Sequence, residues 1–369
     1  MNMFLAWPVV LLLAATAVFS FGLAAAVFAF AARYGVSDDP RSNPTRKRQA
    51  RPIPLLGGSA AVLTALLGCT LAASNAASWS LGSLLDLNAG APNLFWLALS
   101  VLVLLAGGYL DDKYQLPAKF MFFPITGALL LAIFPGDLVI AALSYPFNAL
   151  LPAWPYLPEL LAFLWLGLCL ASTKFLDGHD GLVTTVGLVS FATIASVALT
   201  PSVFQPLVFV FALLCLASLL GFLPFNFPHA RGYLGEGASE AIGFGIGVLS
   251  IISGAKIATT ATVLGWFILD MLLVFLTRFL LKKPLFAGDR LHWHFRLVDL
   301  GLSKLQVLVL TSVILLITAQ LGLTLSTSQK LPLLIVQGVF LGLVFLVTLV
   351  ISLTRAAQET SLKERWRHL

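Results

Sequence analysis

The sequence predicts an all-α, polytopic membrane protein that forms a single integral membrane domain over residues 1–369. Of its residues, 59% are hydrophobic and only 10% are charged, and the mean hydropathy is +0.97. A soluble domain would carry about 25% charged residues. Apolar stretches of roughly 17–25 residues, long enough to cross about 30 Å of hydrocarbon, recur along the chain. A membrane barrel is excluded because its strands would give shorter, alternating segments.

Eleven apolar stretches are predicted to be membrane-spanning helices. The first has no basic residue before it and is too long for the core of a signal peptide, so we interpret it as a retained helix. The segment 136–157 contains Pro146, Pro152 and Pro155 and is predicted to be a loop in the outer membrane interface. The predicted spans cover residues 4–32, 53–75, 94–110, 119–135, 158–174, 182–200, 206–224, 240–255, 258–280, 305–324 and 332–354.

The basic residues predict the orientation. If the N-terminus is outside, all of the 22 lysines and arginines except Lys256 and Lys330 lie on the cytoplasmic side, as the positive-inside rule requires. The net charge of +6 therefore reflects topology and attraction to anionic lipid, and nucleic acid is not an expected partner. The predicted cytoplasmic segments are 33–52, 111–118, 175–181, 225–239 and 281–304, with a basic cytoplasmic tail at 355–369.

The cysteines indicate neither a disulfide framework nor a zinc site. Cys69, Cys169 and Cys215 all fall inside apolar spans, where a cysteine behaves as a small packing residue.

Two adjacent acids, Asp111 and Asp112, follow the third span in the stretch GGYLDDKYQLPAKF. Neighbouring residues on a helix point about 100° apart. One carboxylate could therefore face a metal while the other faces a substrate proton or a basic partner. A solvated loop is the alternative interpretation. Lys119 follows about two turns later if the helix restarts there.

A second acidic group occurs in DGHDGL after the fifth span. A spacing of three puts Asp177 and Asp180 on one face of a helical turn. Gly178 and Gly181 allow the backbone to approach a ligand closely. Mg²⁺ prefers oxygen ligands and usually keeps water and substrate phosphates in its shell. His179 could bind a phosphate or be a simple loop residue.

The loop after the seventh span contains the polar residues Asn226, His229, Arg231 and Glu236. Its glycines could expose backbone N–H groups to an anion, although the sequence is not a Walker motif. Gly243, Gly245 and Gly247 are predicted to be helix-packing positions.

The last cytoplasmic loop carries Arg290, His292 and His294. An H-x-H pair is a weak zinc signal, and imidazoles beside an arginine suit a pyrophosphate better. Interfacial loop histidines are the alternative. Asp270 lies inside the ninth span, where an acid is a functional hypothesis by default and a hydrogen bond to a neighbouring helix is the other interpretation.

Together, the acids on one membrane face indicate a divalent metal and a phosphorylated substrate. In their order, the motifs resemble the polyprenyl-phosphate N-acetylhexosamine-1-phosphate transferase family, glycosyltransferase family 4, over about residues 39–303. That family transfers a sugar-1-phosphate from a UDP-sugar to a lipid phosphate and releases UMP, using Mg²⁺.

The resemblance implies a role for each motif residue. Asp111, Asp112 and Asp180 would be catalytic, and Glu236, Asp112 and Asp180 would bind the metal. The implied substrate-binding residues are Lys119, Lys174, Asp177, Asn226, Arg290, His292 and His294. The sequence departs from the family pattern at six positions: Lys174 and Ala171 replace asparagines, Glu236 an aspartate, Ala238 a glycine, Phe267 a proline and Phe295 a histidine. A charged Lys174 cannot ligate a metal, but it could pair with pyrophosphate oxygens.

The expected cofactor is therefore Mg²⁺, with Mn²⁺ as a substitute. The expected partners are undecaprenyl phosphate, a UDP-sugar and the lipid bilayer, and a homodimer is left open. The expected location is the bacterial cytoplasmic membrane. Two other functions stay open: a lipid or drug transporter, and an inactive lipid-phosphate-binding protein.

Overall fold

The computed structural model describes residues 7–42, 51–74, 93–141, 154–201, 203–253, 257–284 and 290–367. Within these residues the chain is almost entirely helical, as predicted. The α-helices are α1 (Trp7–Arg33), α2 (Gly57–Ser74), α3 (Leu94–Tyr114), α4 (Ala118–Ile133), α5 (Leu157–Leu176), α6 (Leu182–Ala198), α7 (Pro206–Asn226), α8 (Glu236–Ile252), α9 (Ile257–Leu280), α10 (Trp293–Asp299), α11 (Lys304–Thr324) and α12 (Thr327–Arg367).

Each of the eleven predicted spans corresponds to one helix, and the short α10 lies between the ninth and the tenth. In the described part of the chain, eight helices are long and apolar enough to cross a membrane: α1, α2, α3, α5, α7, α9, α11 and α12. The helices α4, α6 and α8 are shorter, with 16, 17 and 17 residues. The polytopic all-α class is thus confirmed, while the count of eleven spans and the orientation stay predictions.

Several helix ends differ from the predicted boundaries; α8, for example, begins at Glu236 rather than at residue 240. Helix α3 continues to Tyr114, so Asp111 and Asp112 lie in its last turn rather than in the following loop. It ends at Gln115, which has a left-handed φ of +50°, and α4 begins directly after Pro117. This break is expected because a residue before proline disfavours the helical conformation. Helix α12 extends to Arg367, so the backbone of the predicted tail is helical up to that residue.

Parts of several predictions lie outside the described residues. They include residues 43–50 of the predicted cytoplasmic segment 33–52, residues 142–153 of the interfacial loop, and Lys256.

Helix α8 is central to the bundle because glycines let its neighbours approach closely. A Cβ atom on Gly108 of α3 would lie 2.0 Å from the backbone nitrogen of Gly237 on α8. A Cβ on Gly243 would lie 2.3 Å from Oγ1 of Thr173 on α5. Small residues at such crossings are typical of membrane helix pairs. The two crossings bring the C-terminal ends of α3 and α5 to the N-terminal end of α8.

The segment after α1 is tied to the loop between α7 and α8. Strands β1 (Ser37–Asp38) and β2 (Ile53–Pro54) pair in antiparallel fashion. The backbone N–H of Tyr233 donates to the carbonyl of Pro54 at 3.0 Å, and the N–H of Gly57 donates to the carbonyl of Tyr233 at 3.1 Å. These bonds place β1 at the same end of the bundle as the α3 and α5 termini.

Candidate active site

A polar cavity of about 520 Å³ lies where the ends of α3, α5 and α8 meet. Its lining includes the acids Asp38, Asp111, Asp112, Asp177, Asp180 and Glu236, and also His179, Asn226, Tyr233, Arg290, Phe295 and Lys304. Another cavity of about 460 Å³, between α2, α3, α7 and α8, has no charged lining residue. Charged groups are needed to bind a phosphorylated substrate, so the polar cavity is the candidate site.

Asp112 joins α3 to the start of α8. Its two carboxylate oxygens accept the backbone N–H of Glu236 at 3.1 and 3.3 Å. A negative group at a helix N-terminus is favourable because of the helix dipole. Gly235 has a φ of +86°, and a Cβ there would lie 2.7 Å from Oδ2 of Asp112. The predicted glycine thus allows this close approach.

Asp177 is the residue that follows the last turn of α5. Burial and, after it, the nearby carboxylates of Glu236, Asp112 and Asp38 raise the pKa of Asp177 well above its usual value, and Lys174 offsets only part of this shift. The acidic wall of the cavity therefore carries more negative charge than the described protein groups neutralise. A bound cation would relieve this repulsion.

Asp180 is buried, with 4% of its surface exposed. Its Oδ1 accepts a hydrogen bond from the ammonium nitrogen of Lys304, 2.8 Å away. The other carboxylate oxygen accepts the backbone N–H groups of His229 and Ala230 at 3.2 and 3.3 Å. The side chain thus holds the turn after α7, and its role as a metal ligand stays a prediction.

Asn226 connects three segments. Its side-chain oxygen accepts the N–H of Gly181 at 3.2 Å and the hydroxyl of Thr184 at 2.8 Å. Its amide nitrogen donates to the carbonyl of Gly232 at 3.3 Å. The residue lines the cavity as predicted, but these bonds show that it fixes the start of α6 against the loop after α7.

Lys174 lies in the last turn of α5 and pairs with two glutamates of α8. Its ammonium contacts the carboxylate of Glu236 and lies 2.6 Å from Oε1 of Glu240. Glu240 is fully buried and was not predicted. It follows Glu236 by four residues, so both face the same side of the helix.

The cavity lining also includes two cations. Arg290 pairs with Asp299, with Nη2 2.7 Å from Oδ1 and Nε 3.1 Å from Oδ2. Its guanidinium lies 4.7 Å from the ring centre of Phe295. The other cation, Lys304, lies at the start of α11. Each of these cations is held by one carboxylate, which leaves other N–H groups for an anion.

The predicted histidines occupy a buried layer beside the cavity. Both His292 and His294 are buried and do not line it. Nδ1 of His292 lies 2.8 Å from Oδ2 of Asp270, whose other oxygen accepts the N–H of Trp293 at 3.0 Å. Asp270 thus orients the start of α10, which supports its structural interpretation. Direct contact of these two imidazoles with a pyrophosphate is not supported by the structure.

His179 does line the cavity. Its Nε2 lies 2.9 Å from the backbone carbonyl of Lys304, which can only accept, so Nε2 carries the hydrogen. Burial lowers the pKa of His179, although the carbonyl bond and Asp180 oppose that effect. The ring is therefore neutral near pH 7, and its Nδ1 can accept a hydrogen bond but cannot donate one to a phosphate.

Lys119 does not reach the site. It lies in the first turn of α4, is exposed, and has its ammonium 5.3 Å from the ring centre of Phe120. The break at Leu116 and Pro117 separates it from the α3 terminus, and it does not line the polar cavity, so its role in holding a phosphate stays a prediction.

Comparison with known proteins gives consistent matches. Residues 94–254 match the sequence profile described as Glycosyl transferase family 4. A probable undecaprenyl-phosphate N-acetylglucosaminyl 1-phosphate transferase of Bacillus subtilis is 32% identical over 56% of this chain and 59% of its own length. A phospho-N-acetylmuramoyl-pentapeptide-transferase of Halalkalibacterium halodurans is 31% identical over 42% and 47%, respectively. Over these residues the chain is similar to glycosyl transferase family 4.

A third relative is the decaprenyl-phosphate N-acetylglucosaminephosphotransferase of Mycobacterium leprae, which is 29% identical over 37% of this chain and 40% of that protein. The chain therefore matches less than two thirds of the length of each of these relatives. With its apolar helices, the chain is a multi-pass protein of the bacterial cytoplasmic membrane, as predicted.

The acidic residues of the cavity have the oxygen donors that a hard divalent cation such as Mg²⁺ uses. Among the described residues, no three His, Cys, Asp or Glu side chains lie close enough together to hold an ion by themselves. Mg²⁺ is commonly held by one or two carboxylates, with substrate phosphates and water completing its shell. The carboxylates of Asp112, Asp177 and Glu236 suit this mode, since all three border the cavity.

The sequence did not predict four residues that line or support the polar cavity: Asp38, Tyr233, Glu240 and Lys304. Burial and the neighbouring carboxylates of Asp180, Asp38 and Asp177 raise the pKa of Tyr233, which stays a neutral donor. Lys304 did carry a signal, because a lysine in the first turn of a helix opposes the helix dipole and needs a partner.

Proposed function

We propose that this chain transfers an N-acetylhexosamine-1-phosphate from a UDP-sugar to undecaprenyl phosphate at the cytoplasmic face and releases UMP. This would be the first membrane step of a cell-envelope polysaccharide. The names of two relatives support a polyprenyl phosphate as the acceptor and an N-acetylglucosamine-phosphate as the transferred group.

The observation that carries the proposal is the mixed lining of the cavity. Carboxylates at the ends of α3, α5 and α8 line it together with the cations Arg290 and Lys304. A pyrophosphate bound there would meet cationic donors, while the acids would face the cation that accompanies it. Phosphoryl transfer depends mainly on such positioning and charge neutralisation.

The proposed reaction is an exchange at the β-phosphorus of the UDP-sugar. A phosphate oxygen of the lipid attacks this phosphorus, and its bond to the oxygen shared with the α-phosphate breaks. The products are a lipid diphospho-sugar and UMP. The prenyl chain stays in the hydrocarbon while its phosphate enters the cavity at the membrane surface.

Asp111 is the best-placed acceptor for the proton of the lipid phosphate. It borders the cavity in the last turn of α3, and both oxygens of its neighbour Asp112 already accept the Glu236 N–H. A positioned carboxylate of this kind can accept a proton in general base catalysis. Tyr233 and Arg290 would donate to pyrophosphate oxygens from the other sides.

Mg²⁺, or Mn²⁺ in its place, is the proposed cofactor. Asp112, Asp177 and Glu236 are the residues that would hold it, and it would neutralise phosphate charge when bound. Asp180 would act indirectly, because it fixes Lys304 and the turn after α7.

The proposal is tested with purified protein in nanodiscs, undecaprenyl phosphate, Mg²⁺ and a panel of UDP-N-acetylhexosamines. The measurements are UMP release and the mass of the lipid product. Asp112→Asn and Glu236→Ala are each expected to lower turnover at least a hundredfold, since losing one preorganised charge in a phosphoryl-transfer site costs about 10²–10³ in rate. A chelator should abolish turnover, and Mg²⁺ or Mn²⁺ should restore it.

Asp137→Asn is the matched control, because this exposed acid lies after α4, outside the polar cavity, and already has a positive φ that asparagine tolerates. It should keep full activity. No UMP release with any donor would overturn the transferase assignment. If undecaprenyl phosphate still bound in that case, the lipid-phosphate-binding alternative would be supported.

A further inference from the structure

Three charged side chains form a row that runs from the cavity wall into the protein. Glu236 and Lys174 have side chains that are 24% and 22% exposed, whereas the side chain of Glu240 is 0% exposed. The ammonium of Lys174 contacts both glutamates. The lysine therefore lies between a carboxylate at the cavity wall and a carboxylate buried behind it.

Glu240 is an unusual residue for its position. Its Oε1 accepts the Lys174 ammonium at 2.6 Å, and its Oε2 is buried with no hydrogen-bond partner among the described residues. A buried ion pair is rarely more stable than an apolar pair of the same shape. Packing stability alone thus gives no reason for a glutamate here, but a carboxylate at this position does hold the lysine in place.

The close crossing of α5 and α8 also favours this placement. Gly243 on α8 lets the α5 backbone approach, since a Cβ at that position would lie 2.4 Å from the carbonyl of Cys169. The last turn of α5 is thereby held against the first turns of α8. This crossing keeps Lys174 beside both Glu236 and Glu240.

We propose that Lys174, anchored by Glu240, is an internal counter-cation that occupies the position beside Glu236 where a divalent ion would otherwise bind. The inference rests on the proposed function, because it assigns the cation-binding behaviour of that same site. It predicts that the substrate-free protein binds a divalent ion weakly at Glu236. Binding becomes favourable when a pyrophosphate adds negative charge.

The physical reason is competition for one carboxylate. The Lys174 ammonium uses the oxygens of Glu236 and repels a second cation over a few ångströms, where charges in a protein interact strongly. Removal of the ammonium frees these oxygens. Removal of Glu240 alone leaves the lysine with Glu236 as its remaining partner, so the site becomes less attractive to a metal ion.

The test is a titration of the full-length protein with Mn²⁺ in the absence of substrates. Electron paramagnetic resonance monitors the titration and gives the affinity for Mn²⁺. The central variant is Lys174→Met with Glu240→Leu. It replaces the buried pair by apolar side chains of similar shape and keeps the net charge of the three positions the same as in the wild type. We expect it to bind Mn²⁺ at least tenfold more tightly than the wild type, and Glu240→Leu alone to bind no more tightly.

A further substitution, Glu236→Gln in the double variant, should remove the gain and so locate the ion. The inference is overturned if the double variant binds Mn²⁺ within twofold of the wild type or more weakly, since equal net charge without the lysine would then make no difference. The result is independent of transfer activity. If the double variant binds Mn²⁺ more tightly but the wild type releases no UMP, only the proposed function is overturned. If the wild type releases UMP but the double variant binds Mn²⁺ no more tightly, only the counter-cation role of Lys174 is overturned.

Discussion

Asp112, Asp180 and Asn226 all use side-chain oxygens to hold backbone N–H groups of other segments. These residues therefore support the shape of the site as well as its chemistry. Removal of an acceptor that satisfies a buried N–H costs about 1–3 kcal/mol. Loss of activity after substitution at these three positions has to be read together with a measurement of stability.

Asp177 differs from them because its surroundings oppose its charge. Its pKa is raised mainly by burial and then by neighbouring carboxylates. The protonated form is therefore favoured in the folded state, and this contribution to stability is lost as the pH rises through the raised pKa. We expect Asp177→Asn to increase the melting temperature at pH 8 by about 2 °C or more, while it lowers transfer activity.

The measurement is thermal unfolding by intrinsic fluorescence between pH 4 and pH 8. The advantage of Asp177→Asn should be small near pH 4, where the wild-type side chain is protonated, and should grow and then level off as the pH rises. Asp137→Asn, at an exposed position, should show no such trend. A difference that grows towards low pH would contradict the assigned direction of the pKa shift.

At the scale of single residues, the acids were predictable and their partners were not. Asp111, Asp112, Asp177 and Glu236 stood out because charge is scarce in this chain, and they do border one cavity. The position of Lys304 at a helix start indicates that it needs a partner but not which one, and the stretch around Tyr233 gives no contact information. Lys119 lies outside the cavity lining because α4 does not continue the direction of α3.

At the scale of helices, the site depends on how closely α3 and α5 approach α8. The α3–α8 crossing has backbone against backbone, and a Cβ at Gly108 would lie 2.2 Å from the Cα of Gly237. Neither backbone can move away locally, because Asp112 is bonded to the first residue of α8 just beyond the crossing. The distance between the carboxylates of α3 and α8 is therefore set by two glycines.

We expect Gly108→Ala to destabilise the protein by about 1–3 kcal/mol or more, because the added methyl group has no free space. Transfer activity should fall further than stability explains, since the separation of α3 and α8 alters the acidic wall. The measurements are the melting temperature in detergent and UMP release at a temperature at which the variant is folded.

Gly127→Ala is the matched control on α4. A Cβ at this position has no atom within 4 Å, and alanine is the better helix former. This variant should be at least as stable as the wild type. Equal stability and activity of the two variants would show that the α3–α8 crossing is looser than described.

In the part of the chain that the structure describes, the acids of the cavity and the basic residues Arg290 and Lys304 lie at one end of the bundle. The orientation predicted from the basic residues puts this end in the cytoplasm, where a nucleotide-sugar would be available. Tyr114 ends α3 at the cavity end and is exposed, whereas Tyr156 is exposed at the opposite end, before α5. These two positions allow the orientation to be tested.

We expect Tyr156→Cys to react with a membrane-impermeant maleimide in intact spheroplasts, and Tyr114→Cys to react only after permeabilisation. Both are made in a background in which Cys69, Cys169 and Cys215 are replaced, so that labelling reports one position. The extent of labelling is read from a mass shift. The reverse pattern would contradict a cytoplasmic site.

The sequence by itself determined the class of protein and the helices, for a physical reason. In hydrocarbon, every backbone N–H and C=O must be satisfied within the segment, so apolar stretches of sufficient length become helices whatever their neighbours are. The same scarcity of charge made the acids at the helix ends recognisable.

Only the tertiary structure decided which groups meet. The pairing of Lys174 with two glutamates, the engagement of both oxygens of Asp180, and the burial of His292 and His294 depend on helix crossings and loop contacts between distant parts of the chain. Such contacts come from packing in three dimensions, and no local pattern of residues encodes them.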